Sequence, residues 1–72
     1  MARYVPVKQQ LWHEQLGVYD TYALRVENEA GECLAQIDDV STDYVVVGEL
    51  AEKCNRGQPD LVHLKDVVLN HL

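Results

Sequence analysis

Sulfur or imidazole chemistry in this 72-residue chain could come from only five side chains: His13, Cys33, Cys54, His63 and His71. Structural zinc sites usually bring their ligands in close pairs. Here the cysteines lie 21 positions apart and the nearest histidines eight apart, so no metal site is expected. Cys54 and His63 could form a nucleophile–base pair only if the thiol were activated by a helix N-terminus or a nearby cation. Cys54 falls instead near the end of a predicted helix, where the dipole opposes ionisation, although Lys53 and Arg56 partly offset it. Both cysteines read as reduced, partly buried packing groups. The adjacent carboxylates Asp38 and Asp39 could do acid–base work in a cleft, but next to a predicted helix start they read as dipole and capping residues. His63 and Asp66, three apart, would share a helix face and clamp it to the preceding loop. The chain has no glycine-rich phosphate loop, Gly-x-Ser-x-Gly elbow or dinucleotide fingerprint. No catalytic residue, cofactor or metal ligand is assigned, and the chain reads as a non-enzyme.

Charge points to binding instead. Twelve acids face six bases, for a net charge of −6. Residues 1–13 carry +2 from Arg3 and Lys8, residues 14–52 carry −9 with Arg25 as the only base, and residues 53–72 carry +1. A segment at −9 repels phosphate backbones, so direct nucleic-acid binding is not expected, whereas a basic protein surface would be attracted. Asp20, Glu27, Glu29 and Glu32 are the candidate contact residues within that segment. Tyr19 joins them as an aromatic anchor, because its strand face also carries Thr21, Arg25 and Glu27.

The elements that would position these groups follow from periodicity. Residues 3–13 read as a first strand, with Tyr4, Val5, Val7, Leu11 and Trp12 for burial and Pro6 restricting pairing to one side. Residues 14–17 read as a turn. Residues 18–27 alternate with period two, placing Val18, Asp20, Tyr22, Leu24 and Val26 on one face. A polar loop leads to a short third strand, Cys33 to Ile37. Residues 38–43 read as a helix start, with Ser41 or Thr42 as the cap and Asp43 in the first turn. Tyr44-Val45-Val46-Val47-Gly48 has strand propensity, yet Val46, Val47, Leu50, Ala51 and Cys54 form a helical stripe. A helix from Asp43 to Asn55 is therefore expected, ending at Gly57 in the left-handed conformation. Pro59 and Asp60 open a second helix with the stripe Leu61, Leu64, Val68 and Leu72. The expectation is a single α+β domain over residues 1–72: three antiparallel strands, then two helices on one face (βββαα).

Asp39-Val40-Ser41-Thr42-Asp43, Leu50 with Cys54-Asn55, His63-Leu64, and Asp66-Val67-Val68 with Leu72 together resemble a family of short uncharacterised proteins from clostridia-like Gram-positive bacteria, and Gly17 to Tyr22 is similar to that family's aromatic-rich second strand. The resemblance spans about residues 15–72 and favours the helix over residues 43–55. That family is a domain of unknown function, so it implies no activity and no site residue.

Two functions are carried forward. In the first, the protein is a small regulator or inhibitor that docks on a larger protein with a basic surface, by class analogy to phage-type inhibitors such as anti-CRISPR proteins that occupy a nucleic-acid-binding site. In the second, it is a homodimeric structural or housekeeping protein of a bacterial host, paired through sheet edges or helix faces. Residues 1–8 hold no apolar signal region, and the longest apolar run is far short of a membrane span. A cytoplasmic location and no membrane partner are the corresponding expectations.

Overall fold

The computed structural model describes all residues, 1–72. Strand β1 (Arg3–His13) pairs antiparallel with β2 (Gly17–Glu27), which pairs antiparallel with β3 (Cys33–Ser41). The sheet order is β1-β2-β3. Helix α1 (Tyr44–Gly57) follows, then a 3-10 turn (Leu61–His63) and helix α2 (Leu64–His71). This is the expected βββαα order. No helix is long and apolar enough to cross a membrane.

The β1–β2 register runs without interruption from Arg3↔Glu27 to His13↔Gly17. It turns through Glu14, Gln15 and Leu16, with Gly17 at φ 72, a left-handed value glycine takes without penalty. The third strand is longer than expected because Asp38 to Ser41 belong to it and not to a helix start. Tyr22 pairs with Ser41 while Leu24 pairs with Ile37, so two steps on β2 span four on β3. The surplus is a bulge at Asp38-Asp39-Val40, with Asp39 left-handed at φ 51. A second irregularity lies between Val26↔Ala35 and Glu27↔Cys33.

Tyr44 to Gly48 is helical, the burial stripe prevailing over local β-propensity. The helix cap is Asp43, not Ser41 or Thr42: the Val45 N–H donates to Asp43 Oδ1 at 2.9 Å, while Ser41 Oγ accepts from the Asp43 N–H at 3.1 Å. Only Asp43 lies one residue before the first helical turn, where a short side chain reaches its free N–H groups. The Tyr44 ring meets Tyr22 edge-on, with centroids 5.3 Å apart. At the other end α1 continues through Gly57, and Gln58 takes the left-handed position at φ 47, its N–H donating to Cys54 O at 2.8 Å. A non-glycine residue pays about 1–2 kcal/mol there. Three side-chain hydrogen bonds of Gln58, to Ala2 N, Ala2 O and Asn55 O, offset that cost.

Tyr4, Leu24, Val26, Leu50, Ala51, Cys54, Leu64 and Val68 form the core. It is thin: 11 of 72 residues are buried. Eleven strand residues extend about 36 Å at ~3.3 Å each, whereas the fourteen of α1 cover about 21 Å at 1.5 Å each. The helix layer therefore cannot reach the hairpin tip. Trp12, expected to be buried, lies directly opposite Val18, and the two stay 70% and 62% exposed. Leu61 and Leu72 also miss the core. The 3-10 turn at residues 61–63 has three residues per turn, which takes Leu61 out of phase with Leu64 and Val68.

Two side-chain amides fix where α1 sits on the sheet. Asn55 Oδ1 accepts from the Tyr4 N–H at 2.8 Å, and Asn55 Nδ2 donates to Tyr4 O at 2.9 Å. Gln58 repeats the pattern on Ala2 at 3.1 and 2.9 Å. Each amide offers β1 the bonds a neighbouring strand would offer. Asn55→Ala removes two of these part-buried bonds and should lower unfolding free energy by about 1–3 kcal/mol, read as a lower urea midpoint at unchanged slope.

Candidate protein-binding surface

β2 carries two sets of side chains on opposite faces. Asp20, Tyr22, Leu24 and Val26 face the helices; Tyr19, Thr21, Ala23, Arg25 and Glu27 face away, on a sheet face no helix covers. Alternation along a strand imposes this separation. The four acidic residues singled out from charge and Tyr19 therefore do not form one surface. Asp20 lies on the helix side, 3.9 Å from Lys8 Nζ. Glu29 and Glu32 belong to the β2–β3 loop: Glu29 meets the Met1 ammonium at 3.1 Å, and Glu32 Oε1 accepts from Asn28 Nδ2 at 3.0 Å. Glu27 is on the open face but is already satisfied. Arg3 Nη2 donates to its Oε1 at 2.8 Å. Arg25 Nε sits 3.0 Å from Oε2, near enough for ionic attraction but outside hydrogen-bond geometry. The Arg3 hydrogen bond is the main reason the Glu27 carboxyl titrates below its ordinary range. Tyr19 and Glu27 lie eight residues apart on β2, about 26 Å.

Tyr19 does join a cluster, built around residues the sequence assigned to a helix cap. Its hydroxyl donates to Asp39 Oδ2 at 2.9 Å, and this bond is the leading cause that raises its phenol pKa. The fully buried Thr21 hydroxyl lies 2.7 Å from Asp39 Oδ1 and 3.1 Å from Ser41 O. Gln9, on β1, reaches across β2: its Nε2 donates to Asp38 Oδ1 at 2.8 Å, and its Oε1 accepts from the Asp39 N–H at 3.0 Å. Gln36 Nε2 donates to the same Asp38 oxygen at 2.9 Å. The hydrogen bonds from Gln36 and then Gln9 hold the Asp38 carboxyl below the usual carboxylate range. Both aspartates remain exposed. The sequence does not single out Gln9 and Gln36 at this site, and Thr21 figures there only as a neighbour of Tyr19 on its strand face. Their signal was weak: polar residues alternating on a strand face, meaningful only once register sets them side by side.

The remaining candidates stay apart. His63 and Asp66 are both exposed and form no clamp, because the 3-10 turn breaks the helical spacing that would have placed them together. The loop there is held by Gln58 and by the Tyr4 hydroxyl donating to Pro59 O at 3.0 Å. His71 Nε2 lies 3.2 Å from Val46 O. No three His, Cys, Asp or Glu side chains gather as a metal site would require. Cys54 is buried, and that burial pushes its thiol pKa up, with Lys53 pulling weakly the other way. Cys33 is exposed, contrary to expectation, because it starts an edge strand beside the second bulge. No family model, curated protein or solved structure matches the chain.

Two measurements follow from this geometry. The Asp38 carboxyl should titrate by NMR below an unperturbed aspartate, and Gln36→Ala and Gln9→Ala should each raise its midpoint. Because folding lowers that pKa, Asp38 stabilises the fold above the ordinary aspartate value and stops doing so as pH falls through the depressed one. In a thiol-labelling experiment, native protein should modify rapidly at Cys33 alone, with Cys54 reacting only on unfolding.

Proposed function

We propose that the protein acts by binding, as a non-catalytic regulator or inhibitor docked on a basic surface of a larger protein. One observation carries the reading: Asp38 and Asp39 are exposed yet held in fixed positions at the β3 bulge by Gln9, Gln36, Tyr19 and Thr21. Carboxylates already ordered lose little freedom on docking, so more of their attraction to arginine or lysine appears as affinity. Tyr19 sits among them with an aromatic ring of the kind enriched at interface hot spots.

The sheet order supports a directional surface. β1 and the residues before it carry +2, while the β2–β3 loop and β3 together carry four acids and no base. The acidic edge would face a basic partner and the opposite edge would not. A protein surface built to hold nucleic acid is one such partner surface, and occupying it would make the protein an inhibitor. The same charge repels nucleic acid itself.

Capture from a lysate of the source cells tests this. Immobilised wild-type protein should retain a partner that elutes as salt rises, since screening weakens attraction between exposed charges. The Asp38→Asn/Asp39→Asn double variant should lose that partner, and Asp20→Asn, on the other face, should keep it. Asparagine tolerates the left-handed backbone at position 39, and an unchanged circular dichroism spectrum is the check that the double variant keeps its fold. Retention of the same partner at the same yield and salt sensitivity by the double variant would sink the proposal.

A further inference from the structure

The two edges of the sheet are not equivalent. β3 has two register irregularities, a left-handed Asp39 and two carboxylates, devices that discourage another strand from pairing there. β1 has an unbroken eleven-residue register. Tyr4 offers both its N–H and its carbonyl to Asn55 on the outer side, so even-numbered residues of β1 point their main-chain groups away from β2. At Ala2 and Tyr4 those groups are taken by the Gln58 and Asn55 amides, and Pro6 has no N–H. The next three outward positions, Lys8, Gln10 and Trp12, make no main-chain hydrogen bond on that side, and all three side chains are exposed.

We propose that Lys8 to Trp12 is a self-pairing edge through which a second copy of this chain joins antiparallel, with Gln10 on the two-fold axis, giving a continuous six-stranded sheet. This pairing is independent of the acidic site. Three features fit a second copy. The segment is self-complementary: with Gln10 opposite Gln10, each Lys8 faces the other copy's Trp12, a cation beside an exposed indole. Residues 1–13 contain no acid, so this is the edge along which two chains of net charge −6 approach without opposing carboxylates. Pairing also ends where the fold requires it, because Pro6 and the Asn55 and Gln58 amides stop the strand from extending. The two acidic β3 edges then lie at opposite ends of the sheet, about 24 Å apart at ~4.8 Å per strand. The contact is smaller than the ~800 Å² per partner of a standard interface, so a concentration-dependent equilibrium is expected instead of a permanent dimer.

Charge swapping at the axis tests the register. Wild-type protein should show a monomer–dimer equilibrium by sedimentation between about 10 µM and 1 mM, and the emission of Trp12, the single tryptophan, should shift to the blue as dimer forms. Gln10→Glu places two carboxylates on directly opposed residues whose Cα atoms lie about 5.5 Å apart across the axis, and Gln10→Lys places two ammonium groups there. Each variant alone should dimerise at least about tenfold more weakly, with an unchanged circular dichroism spectrum, and mixing the two should restore dimer. Three results would each overturn the proposal: a wild-type monomer throughout this range, a dimer unaffected by either substitution, or a mixture that stays monomeric. A dimer that instead responds to Val62→Ser/Leu69→Ser would mean that α2's exposed face is the contact.

Discussion

The position of α1 depends on two carboxamides, Asn55 and Gln58, that complete the hydrogen bonding of β1 at Tyr4 and Ala2. An edge strand normally leaves its outward main-chain groups to water or to another chain. Here the last turn of the helix supplies them with partners, so helix and strand are joined by directional bonds as well as by packing. The Tyr4 hydroxyl extends the same junction to Pro59 O at the start of the second helical segment. With this corner fixed, Leu50, Ala51 and Cys54 settle over Leu24 and Val26, and Leu64 and Val68 close the core.

That placement has a consequence at the far end of the sheet. A helix rises less than half as far per residue as a strand, so an α1 anchored at one end of the hairpin leaves the other uncovered. Trp12, Leu16 and Val18 are therefore exposed, and the unbonded stretch of β1 begins just beyond Pro6. The molecule is polarised across its sheet, with an acid-free edge on β1 and an acidic, bulged edge on β3. Antiparallel succession of the strands converts an uneven charge along the chain into an uneven charge in space.

The uncovered face of the sheet is held by polar bonds in place of a second hydrophobic layer. Gln9 spans β2 to hold Asp38 and the Asp39 main chain, Thr21 buries its hydroxyl against Asp39 and Ser41, and Arg3 and Arg25 enclose Glu27. A left-handed Asp39 is tolerable because its N–H and both carboxylate oxygens have partners. The Asp38 and Asp39 charges on this face are thus fixed in position without being withdrawn from solvent.

Periodicity in the sequence determined the order of elements. Alternation over Val18 to Val26 and the stripe from Val46 to Cys54 are local consequences of two-residue and 3.6-residue repeats, and they specify the central strand and the first helix without tertiary information. The charge imbalance was equally legible. Tertiary structure decided what each residue faces. It drew Asp38 to Ser41 into β3, because pairing with β2 satisfies more main-chain groups than an early helix turn could. It moved the helix end from Gly57 to Gln58, because bonds to Ala2 offset the backbone cost. It left Trp12 and Val18 in solvent, because burial depends on how far a helix layer reaches. It scattered Asp20, Glu27, Glu29 and Glu32 and brought Tyr19 to Asp39, because neighbours across a sheet are set by register. Register depends on pairings between residues as distant as Arg3 and Glu27, which no short window of sequence contains.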